Sequence, residues 1–157
     1  MTSGAPIVFV VDDDASVRRG VKRLLRSAGF TAATFASAPE FLERHDRDAA
    51  GCVILDLAMP GFDGLQMQKA LTDLGSVLPV IFLTGHGDIP TSVQAMKGGA
   101  VDFLTKPVTD DELLAAVRKA IERCEALYRA REEIAPIGRR VATLTPRERE
   151  VLTHLLS

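Results

Sequence analysis

The stretch CVILDLAMPGFDG, Cys52 to Gly64, sets a short apolar run directly against one carboxylate, Asp56. An unpaired anion inside a buried strand is strongly disfavoured, so Asp56 belongs at the strand's exit, where it meets solvent or a ligand. Met59, Pro60 and Gly61 forbid an immediate helix, and Gly64 opens the next helical pattern. The aspartate therefore stands at the mouth of a strand-to-helix loop, the place where open α/β sheets bind ligands.

On either side of this stretch, four more short apolar runs recur: Ile7 to Val11, Ala32 to Phe35, Val80 to Leu83 and Val101 to Leu104. Helical patterns alternate with them, at Ala15 to Ala28, Ala38 to Arg44, Leu65 to Leu74, Pro90 to Lys97 and from Asp110 onward, each with apolar residues three or four apart. Five βα repeats imply a parallel sheet with right-handed crossovers and helices on both faces. Ser37 before Ala38-Pro39-Glu40, and Thr109 with Glu112, are helix-start signals, while Gly29 and Gly98-Gly99 are stops. The fourth helix has only Ile89, Val93 and Met96 to anchor it, which predicts low local stability.

The last helix overruns the repeat. Leu113, Val117, Ala120, Cys124, Leu127, Arg131 and Ile134 follow at alternating spacings of four and three. Two readings fit, a core-facing helix with a solvated tail or a dimeric coiled coil, and the first carries somewhat more weight. Pro136 and Gly138 are expected to stop the helix, with a linker from Arg139-Arg140. Thr145, Pro146 and Glu148 then make a new helix start, and Val151, Leu152, Leu155 and Leu156 supply its apolar stripe. One helix cannot close a core. The expected division is residues 1–123, an extended helix and linker over 124–143, and the first helix of an incomplete second domain over 144–157.

The totals exclude several classes. At 157 residues, 46% hydrophobic and 25% charged, the chain can bury one full core. A net charge of -2 gives no overall basic field for nucleic acid or membrane. The amino terminus offers only Ile7 to Val11 as an apolar run, too short for a signal segment or a membrane span, so a cytoplasmic protein with no membrane partner is expected. Cys52 and Cys124 show no metal spacing and read as buried or half-buried thiols in a reducing compartment. His45, His86 and His154 are scattered and read as surface or loop residues.

Chemistry gathers at the strand ends. Asp12, Asp13 and Asp14 follow the first strand, Asp56 the third, Thr84 the fourth, and Lys106, with Pro107 behind it, the fifth. A parallel sheet brings all these ends to one edge. Crowded carboxylates either take up protons or share a cation, and an all-oxygen set favours a hard ion such as Mg²⁺. Lys106 would neutralise a phosphoryl group and Thr84 would donate to it, while an aspartate can serve as its nucleophilic acceptor. Capping is the plain alternative, and it claims Asp14. Four strands ending in complementary groups are harder to assign to capping.

With VVDDD, ILDLAMPGFDG, FLTGHGD and VDFLTKP in order, residues from about Pro6 to Arg123 resemble the receiver domain of two-component response regulators. The resemblance implies a flavodoxin-like fold with strand order 2-1-3-4-5. It implies Asp56 as phosphoacceptor, Asp13 as a direct Mg²⁺ ligand, Asp12 binding the ion through water, and the Ala58 backbone carbonyl as a further ligand. Thr84 and Lys106 would contact the phosphoryl group, helped by the Gly85 amide. Phe103, where many members carry Tyr, would be the aromatic that moves inward when Thr84 turns. A cis Lys106-Pro107 bond is implied as well. TGHGD, the long last helix and LTPREREVL resemble the FixJ branch of the LuxR-type transcription regulators, the LTPREREVL likeness covering only Leu144 to Leu156. A sensor histidine kinase is the expected donor, and the weak fourth helix with the fifth strand, helped by Leu127 and Ile134, is the expected face of a homodimer on phosphorylation. Promoter DNA would be bound only through a four-helix domain whose recognition helix lies beyond Ser157.

Two other classes compete with this reading. A phosphohydrolase of the haloacid dehalogenase kind needs a second aspartate two residues after the nucleophile, and that position is Ala58. A module of the same fold that is never phosphorylated would not need the complete acidic set. A signalling switch, not an enzyme in the ordinary sense, is the expectation.

Overall fold

A computed structural model describes residues 6–45, 49–85 and 89–139. It contains β1 (Ile7–Val11), α1 (Ala15–Ser27), β2 (Thr31–Phe35), α2 (Ala38–Arg44), β3 (Gly51–Leu55), α3 (Gly64–Asp73), β4 (Val80–Thr84), α4 (Ile89–Lys97), β5 (Asp102–Thr105) and α5 (Asp110–Arg139). The five strands pair in parallel in the order β2-β1-β3-β4-β5, as the flavodoxin-like reading requires. The sheet order reverses between β1 and β3, which opens a crevice at their carboxyl ends.

Alternate side chains of the strands feed two cores. Val8, Val10, Cys52, Ile54, Ile81 and Leu83 pack with Val21 and Leu25 of α1 and with Leu113, Val117 and Ile121 of α5. On the other face Phe9 meets Phe41 of α2 edge-on, with ring centroids 5.4 Å apart. β3 and β4 are buried along their full length, which explains their unbroken apolar sequence. Capping follows the sequence signals. Ser37 accepts from the Glu40 amide, Asp63 and Gln66 form a reciprocal capping box at α3, and Thr109 pairs with Glu112.

Four expectations need correction. Ile89, Val93 and Met96 do not anchor α4: they are 78%, 46% and 45% exposed, and Ala95 is the buried residue of that helix. His45 is not a surface residue. It is buried, stacks on Phe41 at 4.0 Å and 7°, and places Nδ1 2.6 Å from the Phe41 carbonyl oxygen, because the end of α2 turns it inward beneath Phe9. α5 does not stop at Pro136 but runs to Arg139; proline's fixed φ is itself helical, and its cost in a long helix is mainly one missing hydrogen bond and a local kink. The fifth strand begins at Asp102, one residue later than expected, although the Val101 N–H already bonds to the Val80 carbonyl of β4 at 2.8 Å. The readings made for His86, His154, the Ile134 side chain and 144–157 lie outside the described residues.

The described residues divide into two units between Cys124 and Glu125. Among the described residues no helix is long and apolar enough to cross a membrane.

Candidate phosphoacceptor site

β1 and β3 lie in register, Val11 beside Leu55, so the residue that follows each strand arrives at the same level. Asp12 and Asp56 are those residues. Backbone bonds continue past the strands and fix them there: Asp56 N–H donates to the Val11 carbonyl at 3.0 Å, and Asp12 N–H to that of Phe35 at 3.2 Å. Asp12, Asp13 and Asp56 each bring one carboxylate oxygen within 4.8 Å of the others. Asp12 and Asp56 are buried and Asp13 is exposed, so the cluster reaches solvent on the Asp13 side. Asp14 does not join it. Its side chain caps α1, and hydrogen bonds from the Ser16 amide and hydroxyl hold its carboxyl below the usual carboxylate value.

β4 and β5 supply the other chemistry. Thr84 ends β4 fully buried, and the Lys106 N–H donates to its carbonyl at 2.8 Å. Lys106 follows β5, precedes the cis bond to Pro107, and sends Nζ to Asp12 Oδ2 at 3.3 Å. Asp56 Oδ1 accepts a long bond, 3.4 Å, from the Ala58 amide. Burial pushes the Asp56 carboxyl above the ordinary carboxylate value, and the negative Asp12 pushes it further, with Lys106 and the Ala58 amide pulling the other way. The half-buried ring of Phe103 lies 5.8 Å from that of Phe82. Gly85 and Ala58 are exposed beside the pocket.

Oxygen donors alone, three of them ionisable and turned to one point, fit a hard divalent cation such as Mg²⁺. The cysteines take no part. Burial pushes the Cys52 thiol up to about 12, and Cys124 Sγ accepts the Gly51 N–H at 3.4 Å.

Residues 8–118 match the family model described as the response regulator receiver domain. The chain belongs to that family. Nodulation protein W of Bradyrhizobium diazoefficiens is 48% identical to this receiver chain over 93% of its length and 64% of its own. The response regulator protein TodT of Pseudomonas putida is 40% identical over 99% of the chain and 69% of its own length. The transcriptional regulatory protein FixJ of B. diazoefficiens is 43% identical over 96% and 73%. Among solved structures, the response regulator StyR superposes with a TM-score of 0.84 at 43% identity, covering 97% of this chain and 77% of that one. The receiver chain thus spans roughly two thirds of the length of these regulators.

Sequence reasoning missed one residue at the receiver's pocket. Arg18 Nη1 donates to the Asp12 carbonyl at 2.7 Å and so steadies the backbone that carries two of the carboxylates. A signal was present: side chains tilt toward a helix's N-terminus, and a long one four residues into α1 reaches back to the strand exit.

Proposed function

We propose that this chain is the phosphoacceptor part of a two-component response regulator, taking a phosphoryl group on Asp56 from a sensor histidine kinase. The observation that carries the reading is the meeting of Asp12, Asp13 and Asp56 within 4.8 Å, with Lys106 on the same edge. An Asp56 carboxylate oxygen attacks phosphorus, the bond from phosphorus to the donor's imidazole nitrogen breaks, and its electron pair leaves with the imidazole. Asp13 and Asp56, with the Ala58 carbonyl, would hold Mg²⁺, and Asp12 would reach it through water. When bound, the ion offsets the charge of carboxylates and phosphoryl oxygens. Lys106 exchanges its Asp12 contact for a phosphoryl oxygen, and Thr84 and the Gly85 amide donate to the others. Phe103 follows Thr84 inward, which transmits the change to the α4 and β5 face.

The exposed Ile89, Val93 and Met96 of α4 support homodimer formation on this face in the phosphorylated state. Control of transcription through a LuxR-type domain beginning at 144, after a helix and linker over 124–143, is the proposed output. Promoter DNA is contacted only through that domain. The protein works in the cytoplasm, where its buried thiols stay reduced.

Intact mass before and after a small acyl phosphate with Mg²⁺ tests the reading. One phosphoryl adduct, labile to acid and base, is expected on the wild type and none on Asp56→Asn; an adduct that persists in the variant refutes the assignment.

A further inference from the structure

Gln68 of α3 is buried, yet nothing in the Asp56 chemistry uses it. Its Nε2 crosses to α4 and donates to the Ala95 carbonyl at 2.8 Å. The same carbonyl accepts the Ala100 N–H at 3.2 Å, while the Gly99 N–H bonds to that of Met96 at 3.0 Å. With Gly99 at φ 103°, this is a Schellman ending, and Gln68 fills the second lone pair of its key carbonyl. Gly98 leaves room for the amide. A Cβ there would lie 2.7 Å from Gln68 Oε1 and 2.8 Å from its Cδ.

The two ends of α4 are therefore unlike. Its C-terminal end is fastened through Ala95, its buried residue, whereas Ile89 at the end that follows Thr84 in the chain is 78% exposed. At its other side the contact reaches the acceptor loop: α3 starts at Gly64, whose N–H bonds to the Leu57 carbonyl at 3.0 Å, and Gln68 lies one turn further on.

We propose that Gln68 is a positioning residue, a latch from α3 that holds the C-terminal end of α4 as a fixed pivot about which the Thr84 end moves. The pivot role rests on the phosphoacceptor reading; the latch itself does not. With the C-terminal end fastened through Ala95, a change at Thr84 becomes a swing of the exposed face about that point.

Gln68→Met keeps length and volume and removes the donor. Hydrogen exchange on the full chain, with and without a small acyl phosphate plus Mg²⁺, reads the result. Loss of one buried hydrogen bond should speed exchange at the amides of 98–100 by about tenfold, with β1 and β3 amides unchanged. Phosphorylation should keep its wild-type rate, since Gln68 touches no group at Asp56. The phosphorylation-dependent change in exchange across α4 should shrink markedly. Gly98→Ala, pressing on the amide from the other side, should reproduce the local effect, and adding it to Gln68→Ala should cost nothing further. Wild-type exchange at 98–100 in Gln68→Met overturns the latch, as does a rise spread evenly over β1 and β3. A faster local exchange with an unaltered response of α4 to phosphorylation overturns the pivot. Should the wild type accept no phosphoryl group, the phosphoacceptor reading and the pivot fall together, while the comparison without phosphoryl donor still decides the latch.

Discussion

Asp56 is held where its charge is least welcome, buried and beside the anionic Asp12. The folded state raises its carboxyl above the ordinary value of 3.8, so the native protein keeps a proton that the unfolded chain has already released. Stability then falls as pH rises through that interval and stays lower above it. Asp56→Asn removes the penalty. In chelator at pH 7 its melting temperature should exceed that of the wild type, by about 3–4 °C for each kcal/mol relieved, and the gap should close below pH 3.8. A variant no more stable at pH 7 would contradict the electrostatic account. Gly64 gives a second prediction at this scale. A Cβ there would sit 2.6 Å from the Asp56 carbonyl oxygen and 2.9 Å from both Leu57 Cα and Phe82 Cε1. Gly64→Ala should therefore destabilise by roughly 1–3 kcal/mol and slow phosphorylation of Asp56, measured by denaturant melts and by intact mass against time. The glycine was legible as a helix opener, but its tight approach to the acceptor loop was not, because close contact between distant backbones leaves no local pattern.

Elements were legible where burial was uniform and obscure where one face had to be chosen. β3 and β4 announce themselves as unbroken apolar runs, since both faces of a central parallel strand are covered, whereas the edge strands β2 and β5, without a buried residue, read more weakly. A helix differs, because an apolar stripe at spacings of four and three states that one face is special without stating what covers it. In α4 the stripe of Ile89, Val93 and Met96 faces outward, and the helix is held instead through Ala95. Just past α2, its C-cap His45, which reads as polar, completes an aromatic cluster with Phe9, Phe35 and Phe41. These two helices should respond oppositely to truncation. Phe41→Ala should cost about 3–5 kcal/mol, whereas alanine at Ile89, Val93 or Met96 should change stability by no more than about 0.5 kcal/mol, as read by urea melts. A large loss at Val93 would show that α4 is anchored by its stripe after all.

Across the whole molecule, the site and the exposed stripe are joined by short steps of chain: Thr84 closes β4, α4 opens at Ile89, and the Lys106 N–H returns from β5 to the Thr84 carbonyl. A phosphoryl group at Asp56 would offer Thr84 and Lys106 new partners, and a few such bonds are worth a few kcal/mol. Full reversal of a 1:99 equilibrium needs about 5.5 kcal/mol of differential interaction. The responding element must therefore be one whose alternatives differ little in energy, and a nine-residue helix with one buried residue meets that condition better than α1 or α5. An apolar stripe already in water also gains by being covered, which couples the switch to association. Sedimentation at fixed concentration should accordingly show a monomer without phosphoryl donor and a mass approaching twice that with a small acyl phosphate and Mg²⁺. Val93→Asp should take up phosphoryl at the wild-type rate, because Val93 is exposed on α4 and is none of the residues assigned to the Asp56 chemistry, yet remain monomeric, since a buried unpaired carboxylate would oppose closure of the face. Excess chelator or Asp13→Ala should suppress both phosphorylation and dimer. If phosphorylated Val93→Asp still dimerises like the wild type, the association surface lies elsewhere and the exposed stripe of α4 serves another partner.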